Sequence, residues 1–403
     1  MDKPKILTKA NKKAWIYNIS DEQNLNRKIL PTISDVETNH LIQFQEQQML
    51  FFADKGDVVI LKENIEKYYL NYLENWINEI QIIFQQGDFS TDNLNLIPFI
   101  KCGNDLNSST YSSFEEDLVL KFNDKLFTRS FLEEYQFKVT PGEICTTIKE
   151  VVDNFYRLTR SSSKVVLKSS YGSSGKGIKV INSELEFKKY MKLLERKNKD
   201  NINLIIEKWL ENSNTINCSM KITEEKVDLI NITQQVVDSN GKYIGTNFTP
   251  RFDKDLLKKY KEEMQRLGIL LQKNGYKGVL GVDSLIHGGD LYPVIEINAR
   301  YTQVIYLSNL VELLKYNYGS KYIITTQKTI RLLNDLDFQS LENYLNQLLN
   351  PTEKNNYIIY TFGNYKAEKH TTYRFYILFY GEVKSKVDEM VNIFNTHTFK
   401  IGE

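Results

Sequence analysis

The residue types best suited to chemistry lie in two short stretches. In Gly278-Val-Leu-Gly-Val-Asp283-Ser-Leu-Ile-His-Gly-Gly-Asp290-Leu-Tyr-Pro-Val-Ile-Glu296-Ile-Asn298, two strand-like arms flank the turn residues Gly288-Gly289-Asp290. A two-residue turn at Gly289-Asp290 sets Asp283 directly opposite Glu296, with Cβ atoms about 4.5–5.5 Å apart. Asn298 shares their face, and Ile295 and Ile297 point to the other. Two carboxylates that close repel unless a cation lies between them. Hard oxygen ligands at this spacing suit one or two Mg²⁺, with substrate phosphates completing the octahedron. A solvated hairpin with scattered acids explains the apolar face equally well, but not the alignment of three oxygen-bearing side chains.

The second stretch is Lys164-Val-Val-Leu-Lys168-Ser-Ser-Tyr-Gly172-Ser-Ser-Gly175-Lys176-Gly177-Ile-Lys-Val-Ile181. A short apolar strand enters a Ser/Gly loop and a second strand leaves it. Glycines let backbone N–H groups approach a phosphate closely, and Ser hydroxyls and Lys ammonium groups add donors and charge. The loop is not a Walker A motif, because Gly177 follows Lys176 and no Gly lies five positions before Gly175. Nor is it a dinucleotide fingerprint, since the order is GxxGxG and a strand follows. A polar hairpin turn is the competing reading. With three glycines among nine residues, Ser169–Gly177 has little preference for one shape, so its order is expected to come from ligand contacts.

Several elements must hold these stretches. Val58–Leu61, after the turn Asp54-Lys55-Gly56-Asp57, reads as a buried strand, and Leu96–Ile100 as a strand that Pro98 confines to an edge. Apolar residues three and four apart predict one amphipathic helix over Asn64–Phe84. Asn104–Ser113 is a linker or loop, and Lys197–Asn203 a surface loop. A helix starts after Asn123 or Asp124, with Phe127, Phe131 and Tyr135 on one face. Strands are predicted at Lys164–Lys168, Gly177–Ile181, Leu204–Glu207 and Val227–Val237, and a long helix at Asp253–Lys273. Towards the end, a helix at Leu341–Leu349 alternates with strands at Tyr357–Thr361 and Tyr373–Tyr380, and a last helix follows Val383.

Composition excludes other classes. The 403 residues suffice for two or three domains. With 52 basic and 51 acidic residues the formal charge is +1, which does not fit a polybasic nucleic-acid binder. Cys102, Cys145 and Cys218 stand too far apart for a metal knuckle or a disulfide framework, and His40, His287, His370 and His397 lack zinc-ligand spacing. Cys218, in a strand-like run, reads as buried rather than nucleophilic, and His287 as a turn residue. No apolar run approaches the roughly 18–20 residues that span a bilayer, so a cytoplasmic protein without membrane or nucleic-acid partners is expected.

The loop and the hairpin, in this order, resemble the ATP-grasp superfamily, the fold of D-alanine–D-alanine ligase and glutathione synthetase, over about Lys121 to Gln303. The stretch from Gln47 to Val59 is similar to the pre-grasp domain of pheganomycin-type peptide ligases. The resemblance implies an α/β protein with lobes of α+β type: a pre-grasp domain (1–120), a lid lobe (121–210), a metal lobe (211–328) and a small C-terminal αβ extension (329–403). It implies ATP and Mg²⁺, or Mn²⁺, as cofactors. Lys125, in Asn123-Asp124-Lys125, and Lys168 would hold the phosphates, under a lid carrying Ser169, Gly172, Ser173, Ser174 and Gly175. Glu207-Lys208-Trp209-Leu210 would read the adenine, Trp209 being alternatively a core residue. Asp283, Glu296 and Asn298 map onto the metal set. Asn214 stands where an acidic residue commonly takes the ribose. Gly281 stands where D-alanine ligases carry an arginine, so that substrate is not carried over; Arg300, or secondarily Arg251, would hold the substrate carboxylate.

The function implied is ADP-forming ligation of a carboxylic acid or amino acid to an amine through an acyl phosphate, with natural-product assembly as the expected setting. The alternatives are transfer to a carrier-protein thiol, and a nucleotide-binding protein without catalysis. A homodimer is left open.

Overall fold

The computed structural model describes residues 12–26, 36–85, 94–102, 113–172, 177–197, 202–237 and 243–399. Three sheets organise them. The first is wholly parallel, with order β3-β2-β1-β4, from β1 (Lys13–Ile16), β2 (Val58–Leu61), β3 (Gln81–Phe84) and β4 (Asn95–Pro98). Pro98 sits on an edge strand, as its missing N–H requires. The second sheet is antiparallel, with order β5-β8-β6-β7, from β5 (Gly142–Cys145), β6 (Val165–Ser169), β7 (Ile178–Ile181) and β8 (Leu204–Lys208). It has its own core, in which Phe155 and Phe187 stack 3.7 Å apart.

The third sheet has eight strands in the order β13-β12-β9-β10-β11-β14-β16-β15. These are β9 (Asn214–Ile222), β10 (Val227–Val237), β11 (Tyr243–Asn247), β12 (Gly278–His287), β13 (Asp290–Asn298), β14 (Tyr322–Leu332), β15 (Asn355–Lys366) and β16 (Thr371–Gly381). The C-terminal strands thus extend the sheet that carries the carboxylate hairpin. β14 itself runs across the 328/329 boundary, so any division there cuts one continuous sheet. The helix Lys254–Lys273, capped by the Asp253 carboxylate, packs Tyr260, Met264, Leu267 and Leu271 into the large core.

One sequence expectation needs correction. The helix over Asn64–Phe84 is only Lys67–Leu73; the chain then turns, and Gln81–Phe84 becomes β3, parallel to β2. Ile82 and Ile83 are β-branched and fit a strand, and their pairing with Val59 and Ile60 outweighs the helical spacing upstream. The last helices fall where periodicity places them, at Phe338–Leu349 and Lys384–Thr396. The linker Asn104–Ser113 lies outside the described residues except for Ser113, which starts the helix Ser113–Asn123. Residues 198–201 of the Asn/Lys-rich loop also lie outside them. Among the described residues no helix is long and apolar enough to cross a membrane.

Candidate active site

The hairpin places Asp283 directly opposite Glu296, but not by the turn the sequence suggests. The turn residues are Gly288 and Gly289, at φ +59° and +86°, closed by the pair His287–Asp290. A turn with both central residues at positive φ suits Gly-Gly. That register alone would leave Asp283 out of line with Glu296. It shifts between Asp283 and Leu285, where one residue of β12 faces three of β13. Pro293 lies in that stretch and has no N–H for the ladder. Its carbonyl instead accepts from the Ser284 hydroxyl at 2.6 Å. The slip is even, so the faces are kept and Glu296 still points with Asp283. Ile297 is buried on the opposite side.

Asp283 pairs on its other flank with Asn217 of β9. Its Oδ1 accepts from the Asn217 amide and from Gln235 Nε2 (3.2 Å), and its Oδ2 from Asn298 Nδ2 (3.3 Å). Burial, then the Glu296 charge, pushes the Asp283 carboxyl up to about 6. Glu296 is met by Lys125 Nζ at 2.9 Å.

The Asn123-Asp124-Lys125 motif divides its work. Asn123 Oδ1 accepts from the Ala299 N–H at 3.0 Å, fixing the chain just beyond Asn298. The Asp124 carboxylate caps the helix Lys125–Glu134 through the N–H groups of Leu126 and Phe127. Lys125, buried, donates also to the Gly172 carbonyl at 2.9 Å, and its own N–H to the Ser170 carbonyl. The lysine therefore joins the glycine loop to the carboxylate hairpin.

At the loop end of β6, Lys168 Nζ lies 2.5 Å from Glu207 Oε2, and Arg129 Nη1 lies 2.9 Å from Glu207 Oε1. Burial alone would raise the Glu207 carboxyl; Lys168 foremost, with Arg129, brings it below its usual range. Sequence reading passed over Arg129, whose signal was a basic residue one turn after Lys125, on the same face as Phe131 and Leu132. Gly142 is required here, since a Cβ would lie 2.2 Å from the Ile206 carbonyl and 2.8 Å from Glu207 Cγ. Ser169 is buried, its hydroxyl 2.8 Å from the Tyr171 carbonyl. Ser173, Ser174 and Gly175 lie outside the described residues.

Beyond Glu207, the N–H groups of Lys208 and Trp209 donate to the Pro141 and Lys164 carbonyls, so an adenine edge would be read by other backbone groups of this segment. Trp209 is half-buried and Leu210 buried; Asn214 is exposed at the start of β9. Arg300 joins the cluster: Nη2 donates to Asn298 Oδ1 at 3.0 Å, and Nε lies 2.5 Å from Glu22 Oε1. Its guanidinium sits 5.0 Å from the Phe99 ring centre. Arg251 does not join; it is exposed and donates to the Tyr322 hydroxyl. Cys218 is buried, its thiol pushed up to about 12 by burial.

The donor set fits a hard divalent cation. Two carboxylates face each other, one of them, Glu296, holding a lysine ammonium between hairpin and loop, and Asn217 Oδ1 is buried without a hydrogen-bond partner among the described residues. Asn298 presents its nitrogen to Asp283 and its oxygen to Arg300, so its oxygen would serve a metal only after the amide turns.

Two antiparallel sheets, one bearing a glycine loop with Lys168 and the other the carboxylate pair, make an arrangement suited to a nucleotide's phosphates and a divalent cation. A family model for the ATP-grasp L-aspartate–L-methionine ligases matches residues 147–298. The [butirosin acyl-carrier protein]–L-glutamate ligase of Niallia circulans is 34% identical over 347 residues, covering 83% of this chain and 82% of the relative. The chain belongs to the ATP-grasp ligase family. Solved structures show the same fold at low identity. An ADP-bound N5-carboxyaminoimidazole ribonucleotide synthetase has TM-score 0.57 and 11% identity, covering 96% of this chain and 99% of its own. Thermotoga maritima phosphoribosylamine–glycine ligase has TM-score 0.52 and 15% identity, covering 87% and 94%. The protein is an ATP-dependent ligase.

Proposed function

We propose that the protein activates the carboxylate of an amino acid with ATP and joins the resulting acyl group to an amine, in natural-product assembly. The observation that carries this is the linked cluster of Lys125, Glu296, Asp283, Asn298 and Arg300, which sets phosphate-binding and carboxylate-binding charges side by side. With Lys125 and Lys168 on the distal phosphates, the acid would be directed to the γ-phosphorus. A carboxylate oxygen attacks there, ADP leaves, and the acyl phosphate then loses phosphate to the nucleophile. Asp283 and Glu296, with Asn298 once its amide turns, would hold Mg²⁺, which when bound would neutralise charge at the phosphate oxygens. Lys125 and Lys168 orient those oxygens, and Arg300 holds the acid and then the oxyanion. No side-chain nucleophile is needed, in keeping with the buried, high-pKa thiol of Cys218.

A second reading, transfer to a carrier-protein thiol, is favoured by the name of the Niallia circulans relative, which ligates an acyl-carrier protein and L-glutamate. Both readings share the first half-reaction. An ADP-release screen of amino acids, with amines and then with carrier proteins as acceptors, separates them by mass spectrometry of the product. With an ¹⁸O-labelled acid, one label should appear in inorganic phosphate. AMP and pyrophosphate as products would overturn both.

A further inference from the structure

Glu22 is the least expected member of the cluster. It comes from the N-terminal helix Ile19–Asn26 and reaches a residue 278 positions away. Its Oε1 takes the Arg300 Nε, and both side chains are close to nine-tenths buried. Its Oε2 is buried with no hydrogen-bond partner among the described residues, as are Ser20 Oγ nearby in sequence and the hydroxyl of Tyr306, which stacks on Tyr301 beside Arg300. A buried carboxylate oxygen without a donor is costly, and native structures seldom keep one without a reason.

Charge counting says what would satisfy it. Glu22 and Arg300 together are neutral. When Arg300 receives a substrate carboxylate, the three groups sum to −1 in a desolvated site, and Glu22 shares its counter-ion with a competitor. A plain acid leaves that charge uncompensated, which a buried site tolerates poorly. An amino acid brings its own ammonium. The four groups are then neutral again, and the free Oε2 gains a charged donor.

We infer that Glu22 reads the substrate's ammonium group while Arg300 holds its carboxylate, so the acid subsite selects amino acids over their des-amino counterparts. This rests on the reading of Arg300 given above. Glu22 acts as a specificity residue and takes no part in the chemical step.

The test uses the full chain with Mg²⁺ and a non-hydrolysable ATP analogue, and measures binding by calorimetry. The probes are L-glutamate against glutarate, L-aspartate against succinate and L-alanine against propionate. In the wild type the preferred amino acid should bind at least about 30-fold tighter than its partner acid, or about 2 kcal/mol. Glu22→Gln should bring that ratio within about threefold, chiefly by weakening the amino acid, while Glu22→Asp keeps part of it. Unchanged nucleotide affinity and melting temperature establish that Glu22→Gln is folded; if it is not, the wild-type ratio and Glu22→Asp decide. Equal binding of the two acids in the wild type, or an unchanged ratio in the variants, overturns the inference alone. Binding of nucleotide but of no acid at all overturns it together with the ligase reading.

Discussion

Lys125 Nζ lies 2.9 Å from both Glu296 Oε1 and the Gly172 carbonyl oxygen, so one buried ammonium bridges the carboxylate hairpin and the root of the glycine loop. Its position follows from the Asp124 cap, which starts the helix at Lys125 and aims that side chain inward. The contacts cannot all persist when phosphates and a divalent cation enter. Lys125→Ala should lower ATP affinity by about tenfold or more in calorimetry, about 1.4 kcal/mol, and lower the melting temperature by leaving Glu296 unpaired beside Asp283. Unchanged affinity would reject the phosphate role.

Glu296→Gln keeps size and shape but removes the charge that faces Asp283. Turnover should fall on the order of 100-fold, about 2.7 kcal/mol in the barrier, while the fold and nucleotide binding survive. Raising Mg²⁺ should recover part of the loss. Near-normal ADP release at ordinary Mg²⁺ would end the metal assignment.

Arg300 is planar and forked, and its three nitrogens already donate to Glu22, the Tyr301 carbonyl and Asn298. Lysine cannot reproduce that geometry. Arg300→Lys should therefore lower kcat and raise KM for the acid together, as steady-state ADP release would show. A change in KM alone would confine the arginine to ground-state binding.

Two buried carboxyls give the ligand-free protein a defined pH response. Burial and then Glu296 push Asp283 up to about 6, and burial pushes Glu46 up to about 7 despite three N–H donors. Both values exceed those of an unfolded chain, so the folded state binds more protons between about pH 4 and 7. Stability is then greatest below the unfolded values and declines as pH rises through the folded ones. The melting temperature of metal-free protein should rise between pH 8 and 6, and Asp283→Asn should flatten part of that slope. Mg²⁺ affinity should fall below about pH 6, because the ligand must be deprotonated. A flat melting profile in both proteins would contradict the raised carboxyls.

The chain by itself determined what depends on neighbours in sequence. Period-two alternation around Gly288-Gly289 is enough to bring Asp283, Glu296 and Asn298 to one face, and an even register slip at Pro293 cannot undo it. The cap at Asp124 and the strands either side of the glycine loop were legible for the same reason. The pairing of Asp283 with Glu296 was legible too, though through a different turn from the one expected. Tertiary structure alone decided the partners of those groups. Nothing local to Arg300 specifies Glu22, nothing near Glu207 specifies Arg129, and Asn217 meets Asp283 only because β9 lies beside β12. The short helix Lys67–Leu73 yielding to β3, and the C-terminal strands extending the large sheet, are likewise set by long-range pairing. Spacing along the chain fixes which side chains share a face. Which charge each one meets depends on how distant elements pack, and burial then makes that choice decisive, because a desolvated charge needs a partner wherever in the sequence it comes from.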